Sequence, residues 1–281
     1  TILGTFQSTL TSFKYLSREW GKNCEEERLL GVSLTGIMDC ALTNGTKGNI
    51  NKVLTELREV AVKTNEEYAD KLGINRSVSI TCVKPSGTVS QLVDSSSGIH
   101  ARHNPFYIRT VRADNKDPLC KMMKAEGFPN EPDVNKPEHT TVFSFPQKSP
   151  KGAICRNDMT AWKQLSLWHT YAKEWCEHKP SVTVSVKEDE WVNTAAWVYE
   201  NFDDISGISF LPFSDHTYRQ APYQDCTEKE YNELKKKMPE KVNWASLAKF
   251  ETQDYTSSSQ EFACTSEKGC EIVDISPQVT P

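Results

Sequence analysis

The 281-residue sequence has no apolar run approaching the ~20 residues that a membrane-spanning helix needs. It has no basic excess: 33 Lys and Arg stand against 38 Asp and Glu, a net charge of -5. General nucleic-acid binders and anionic-membrane binders carry the opposite balance, so the sequence argues against both classes. No charged, apolar and small-residue succession opens the chain in the manner of a secretory signal. A dense disulfide framework is also missing. The nine cysteines are odd in number, and the first seven are widely scattered. These absences predict a reducing cytoplasm, with most thiols acting as small buried hydrophobes. No GxxxxGK[ST] phosphate loop occurs, and no internal repeat.

What is present describes a folded chain. Hydrophobic residues make up 37% and charged residues 25%, enough to bury a core. At ~100–200 residues per domain, the length accommodates one large domain or two modest ones. The first residue is Thr1, and 1–10 (TILGTFQSTL) reads as the interior of a folded element. The expectation is that the chain is a piece of a longer protein.

Strands and helices alternate, which predicts an α/β fold. Val53, Leu57, Val60, Ala61, Tyr68 and Leu72 recur at helical spacing over 51–72, and Gly73 follows as a cap. Short β-rich runs lie at 78–83, 106–112, 139–145 and 207–213. Strict alternation at 181–186 predicts a strand with one valine face inward. Asp117-Pro118 starts a helix that stops near Gly127, and 129–137 reads as a Pro-rich connection. Trp162, Leu165, Trp168, Ala172 and Trp175 predict the core stripe of a helix over 159–176. Trp191, Ala195, Val198 and Phe202 mark another. Lys235, Lys236 and Lys237 read as a solvated helix face. The packed domain is expected over 1–250, with a Ser-rich flexible tail over 251–281.

Three motifs could carry chemistry. The loop 84–90 (KPSGTVS) follows a predicted strand and can open a helix at 88–92. Small residues let a ligand approach the backbone, and free amides with the hydroxyls of Ser86, Thr88 and Ser90 can hold phosphate oxygens around Gly87. The same spacing fits an ordinary capped turn. Cys264 and Cys270, with five residues between them in the tail, suit a cycling dithiol. They equally suit two incidental thiols. His100 and His103 are three apart, but a pair without a third ligand is more often structural than metal-binding.

The stretch 83–112 (VKPSGTVSQLVDSSSGIHARHNPFYIRTVR) closely resembles the adenosylcobalamin-dependent, class II ribonucleotide reductases. Outward from it, 31–40 (GVSLTGIMDC) is similar to a helix start of that family. The stretch 207–220 with Ala221-Pro222 is similar to its late strand and Gln-Ala-Pro turn, and the tail cysteines fall where the family carries a pair. The resemblance implies the C-terminal part of a ten-stranded α/β barrel. It implies that Ser86, Gly87, Thr88 and Ser90 form a substrate-phosphate loop, and that Cys264 and Cys270 shuttle electrons from a thioredoxin-like reductant. The implied activity is thiyl-radical reduction of ribonucleotides, triphosphates above all, with adenosylcobalamin. The family's Asn-Pro-Cys-x-Glu radical loop does not occur in the 281 residues. The resemblance therefore implies dependence on a missing N-terminal part. No two tyrosines are adjacent, as a diiron-class radical path would need, and Gly269 does not match a glycyl-radical motif. A non-catalytic phosphate-binding or thiol-carrier module is the alternative.

Overall fold

Helices begin where a side-chain oxygen can close the first turn. Asn49 accepts from the Lys52 amide at 3.2 Å, Asp117 from Leu119 at 2.7 Å and Thr160 from Lys163 at 3.2 Å. The computed structural model describes residues 1–84, 86–87, 89–213 and 218–252. In chain order come α1 (Ile2–Gln7), α2 (Arg18–Glu27), β1 (Val32–Ser33), α3 (Ile50–Leu72), β2 (Thr81–Cys82), α4 (Val89–Leu92), β3 (Phe106–Asp114) and α5 (Pro118–Ala125). Then follow β4 (Asn130–Pro132), β5 (Thr140–Lys148), α6 (Ala161–Glu174), β6 (Ser181–Val186), α7 (Trp191–Glu200), β7 (Gly207–Pro212), β8 (Tyr223–Asp225) and α8 (Glu228–Lys237). The fold is α/β. Among the described residues no helix is long and apolar enough to cross a membrane.

The chain divides into two compact units. The first comprises Thr1–Tyr107 and Lys148–Thr217. It holds two parallel pairs, β1 with β2 and β6 with β7. Parallel neighbours need a crossover, and α3 and α7 supply one each. Gly207 faces Ser181 in the second pair, where a Cβ would lie 2.9 Å from the serine hydroxyl. The core gathers Ile37, Met38, Leu54, Leu165, Trp168 and Val184. The second unit comprises Ile108–Gln147 and Tyr218–Pro281. It is built on the sheet order β4-β5-β3-β8, with Cys120, Phe128 and Phe143 at its core.

Several expectations hold closely: α3 with its Gly73 cap, α5 starting at Pro118, and the inward Val182, Val184 and Val186 of β6. Others shift for physical reasons. The run at 78–83 pairs as a strand only at Thr81–Cys82. A carboxylate takes the place of a second neighbour, since Glu177 Oε2 accepts from the amides of Ile80 (2.7 Å) and Thr81 (3.1 Å). The 31–40 segment forms no regular helix start. It carries β1, a left-handed Gly36 and one 3-10 turn at Ile37–Asp39. Part of the expected connection at 129–137 forms β4, antiparallel to β5. In 1–10 only Thr5 is buried within α1.

The tryptophan stripe of α6 needs correcting. Ala161, Leu165, Trp168 and Tyr171 are buried, whereas Trp162 is 59% exposed. One residue's offset turns a side chain by about 100°, enough to leave the core face. In α7 the buried residues are Thr194 and Trp197, while Trp191 is exposed, as is Phe202 beyond the end of the helix. Trp197 turns inward because it packs edge-on against Trp168, with ring centroids 6.4 Å apart. Trp168 also donates from Nε1 to the Pro180 carbonyl at 3.0 Å. Trp168→Ala should therefore cost about 3–5 kcal/mol of stability, as buried aromatic truncations do. Trp162→Ala should stay within about 0.5 kcal/mol. Denaturant titration of both variants checks this, and equal losses would contradict the assigned face.

Candidate functional site

The loop after β2 folds on serine hydroxyls and backbone groups. The Lys84 amide donates to Ser33 Oγ at 3.0 Å, and the Ser86 amide to Ser97 Oγ at 2.9 Å. Ser90 is buried, and its hydroxyl donates to the Ser86 carbonyl, bracing the loop from within. The Ser95 amide closes back onto the Ser90 carbonyl at 2.8 Å. The expected helix is the single turn α4, too short to bring a developed helix dipole. Ser86, Gly87 and Ser90 are thus parts of one loop. Pro85 and Thr88 lie outside the described residues, as do Cys264, Cys270 and the whole of 253–281.

A second segment meets this loop. Thr35 Oγ1 donates to the Ser96 carbonyl at 3.0 Å and lies 3.3 Å from Ser95 Oγ and 3.5 Å from Ser86 Oγ. The Gly36 amide donates to the same Ser96 carbonyl at 2.9 Å. Two glycines make this approach possible. A Cβ on Gly98, at φ +50°, would stand 3.2 Å from the Lys84 carbonyl. Gly36 takes φ +72°, with Ser95 Cβ 3.4 Å from where its own Cβ would be. The hydroxyls of Thr35, Ser86 and Ser95 form a small polar cluster, with Thr35 exposed and both serines partly exposed. Such a cluster offers neutral hydrogen-bond donors to an anion. Sequence reasoning placed Ser86 here but missed Thr35 and Ser95. The signal available for Thr35 was the Thr-Gly pair at 35–36, which sits 51 residues before Ser86 and is joined to it only by tertiary folding.

Beneath the cluster lies a buried ion pair. Arg102 donates to Asp39 through Nε and Nη2, both at 2.9 Å, and through Nη1 to Asp94 Oδ1 at 3.0 Å. Burial opposes its charge. The hydrogen bonds with Asp39, Tyr107 and Asp94 outweigh that effect and hold its pKa above the ordinary guanidinium range.

His100 is not a metal ligand. Its Nδ1 pairs with the Ser97 carbonyl at 3.0 Å, and its Nε2 accepts from the Thr183 amide at 3.1 Å, which fixes a neutral ring. His103 packs edge-on against Tyr107, with centroids 5.7 Å apart. Among the described residues, no three His, Cys, Asp or Glu side chains are grouped to hold a metal ion.

Of the seven described cysteines, all free thiols, Cys82, Cys120, Cys155 and Cys176 are buried. Burial pushes their pKa values up, that of Cys176 to about 12. Cys40 is exposed, and the backbone amides of Leu42 and Thr43 hold it below the ordinary thiol value.

No family model matches the chain. Its fold does match a solved B12-dependent, class II ribonucleotide reductase, with a TM-score of 0.72 and 23% identity, covering 85% of this chain and 37% of that one. Among curated proteins, it is 32% identical over 219 residues to a probable adenosylcobalamin-dependent ribonucleoside-triphosphate reductase of Dictyostelium discoideum, covering 74% of this chain and 28% of the relative. The adenosylcobalamin-dependent ribonucleoside-triphosphate reductase of Euglena gracilis is 27% identical over 245 residues, 86% of this chain and 33% of the relative. That of Lactobacillus leichmannii is 27% identical over 237 residues, covering 74% and 32%. The chain resembles these reductases over most of its length, as the motif at 83–112 implied, and spans about a third of theirs.

The names of these relatives carry a cobalamin cofactor, so its fit to the described residues matters. A cavity of about 360 Å³ lies beside α2, bounded by Leu10, Phe13, Trp20, Arg28 and Leu29. Pockets for drug-sized ligands run ~300–1,000 Å³, and a corrin ring with its adenosyl arm outgrows the lower end of that range. At about 360 Å³ this cavity is too small for a cobalamin.

The paired ring nitrogens of His100 make a pH prediction. Burial lowers its pKa, and the Ser97 carbonyl offsets part of that shift. The folded chain keeps the ring neutral, so the unfolded chain takes up the proton first as pH falls. The contribution of His100 is full above the ordinary imidazole value of ~6.5 and is lost as pH drops below it. Thermal melts between about pH 7 and pH 5 should show the wild type losing stability faster than His100→Gln. Parallel pH slopes would contradict the neutral assignment.

Proposed function

We propose that this chain is the C-terminal part of the catalytic chain of an adenosylcobalamin-dependent ribonucleotide reductase, acting on ribonucleotides and in particular on triphosphates. The observation that carries this reading is the hydroxyl cluster in which Thr35, from the segment at 31–40, meets Ser86 and Ser95 of 83–112, both segments being ones that resemble the reductases. In this reading residues 1–250 supply the late part of a ten-stranded α/β barrel. Ser86, Gly87 and Thr88 contact the substrate phosphates, and Ser90 braces their loop. Small residues suit the task because phosphate oxygens must come within hydrogen-bond distance of backbone amides.

Cys264 and Cys270 are proposed as the dithiol that returns electrons after each turnover. Thiolate attack on the active-site disulfide would pass through a mixed disulfide, and a thioredoxin-like protein would reduce the resulting Cys264–Cys270 disulfide. The two cysteines would ride on a tail over 251–281. Thiyl-radical chemistry at the ribose would require the Asn-Pro-Cys-x-Glu loop, which the 281 residues do not contain. The partner for activity is therefore the N-terminal part of the same enzyme, and the compartment is the cytoplasm. A non-catalytic phosphate-binding or thiol-carrier role is disfavoured, because the relatives that match most of the chain are named as enzymes.

The test joins these residues to an N-terminal part that carries the radical loop and measures deoxyribonucleotide formation with adenosylcobalamin. The joined enzyme should turn over, and the 281 residues alone should not. A Cys264→Ser, Cys270→Ser double variant should give one burst of product from a pre-reduced enzyme, then stall with a protein reductant and recover in part with a small dithiol. Reduction by the 281 residues alone would overturn the partial-enzyme reading. Unimpaired turnover of the double variant with the protein reductant would overturn the shuttle.

A further inference from the structure

We propose that Arg102 is a positioning residue: it sets the phosphate loop by clamping Asp39 to Asp94, and it does not itself touch the substrate. This inference rests on the proposed phosphate role of the loop. A guanidinium has five N–H donors and no acceptor. In this fold every donor is taken. Nε and one Nη2 hydrogen go to the two oxygens of Asp39, and the other Nη2 hydrogen goes to the Asp94 carbonyl at 2.6 Å. The Nη1 pair goes to Asp94 Oδ1 at 3.0 Å and to the Tyr107 hydroxyl at 3.3 Å. The side chain is 4% exposed. An arginine beside a phosphate loop would ordinarily be read as a phosphate ligand. Here no donor is left for one.

The clamp reaches the hydroxyl cluster through short links. Asp39 Oδ2 also accepts from the Ser96 amide at 2.8 Å, and Ser96 Oγ accepts from the Met38 amide at 3.1 Å. Asp94 is held at φ +47°, a left-handed conformation uncommon outside glycine. Ser95 lies between Asp94 and Ser96, and the Ser96 carbonyl is the acceptor shared by Thr35 and Gly36. Fixing Asp94 and Ser96 therefore fixes the hydroxyl of Ser95 against Thr35. A lysine at 102 would keep the charge but lose the planar fork, and one ammonium cannot meet both oxygens of Asp39 while reaching Asp94.

The experiment titrates the full reductase chain carrying these residues with a ribonucleoside triphosphate and with the same ribonucleoside lacking phosphates. The readout is the ratio of the two dissociation constants, which isolates the phosphate contribution. A merely structural role would shift stability and leave that ratio unmoved. Arg102→Lys and Asp39→Asn should each reduce the ratio about ten- to a hundredfold, the equilibrium effect of one misplaced hydrogen bond to a charged group. Asp94→Ala should reduce it less. Its carboxylate is 67% exposed, so this variant keeps the buried pair and remains usable should the other two fail to fold. Asp133→Asn, which breaks the ion pair with Arg112 (2.8 Å) in the second unit, should leave the ratio unchanged. An unmoved ratio in the folded clamp variants, with Ser86→Ala lowering it, overturns the clamp and leaves the phosphate loop standing. No phosphate dependence in the wild type, or none lost in Ser86→Ala, overturns the loop reading and the clamp with it.

Discussion

The two-pronged contact between Arg102 and Asp39 is the constraint on which the described site depends. Removing a guanidinium and a carboxylate from water is costly, and Coulomb attraction offsets that cost only with good geometry and full hydrogen bonding. Both conditions are met here, with Asp39 accepting from the Ser96 amide as well as from the fork. Because a half-satisfied pair would be worse than none, the arrangement tolerates few positions for the backbone around it. That intolerance carries local order from the pair into the segments at 31–40 and 89–98.

The consequence for chemistry is a site built from neutral groups on a charged foundation. Thr35, Ser86 and Ser95 present hydroxyls, while the nearby arginine is turned inward and fully engaged. In the proposed reading, such a site would meet phosphate through the geometry of its hydroxyl and amide donors, with Lys84 the exposed cation of the same loop. The glycines at 36 and 98 serve the same end, since their positive φ values let the two segments close on each other.

Much of the architecture was legible in the sequence because it is written locally. The Asn49 and Gly73 boundaries of α3, the Asp117-Pro118 start of α5 and the valine alternation of β6 each depend on residues close in the chain. The errors share a cause. Apolar character at helical spacing puts Trp162 on the inward stripe, whereas packing between α6 and α7 selects Trp168 and Trp197. The run at 78–83 pairs as a strand only at Thr81–Cys82, and Glu177, about a hundred residues away, satisfies the Ile80 and Thr81 amides. At the site, Ser86, Gly87 and Ser90 stood out through a local small-residue pattern. Thr35, Asp39 and Arg102 did not, because their significance arises only when distant segments meet. Thr88, Cys264 and Cys270 lie outside the described residues, so their reading rests on sequence alone.

One clamped loop is proposed to receive the substrate phosphates. Hydrogen exchange of the backbone amides, with and without a ribonucleoside triphosphate, tests it most directly. The account predicts slower exchange on nucleotide addition at Ser86, Gly87 and the amides of 95–97, together with Gly36 across the contact, and no comparable change in α8. Protection confined to other parts of the chain, with this loop unchanged at saturating nucleotide, would contradict it.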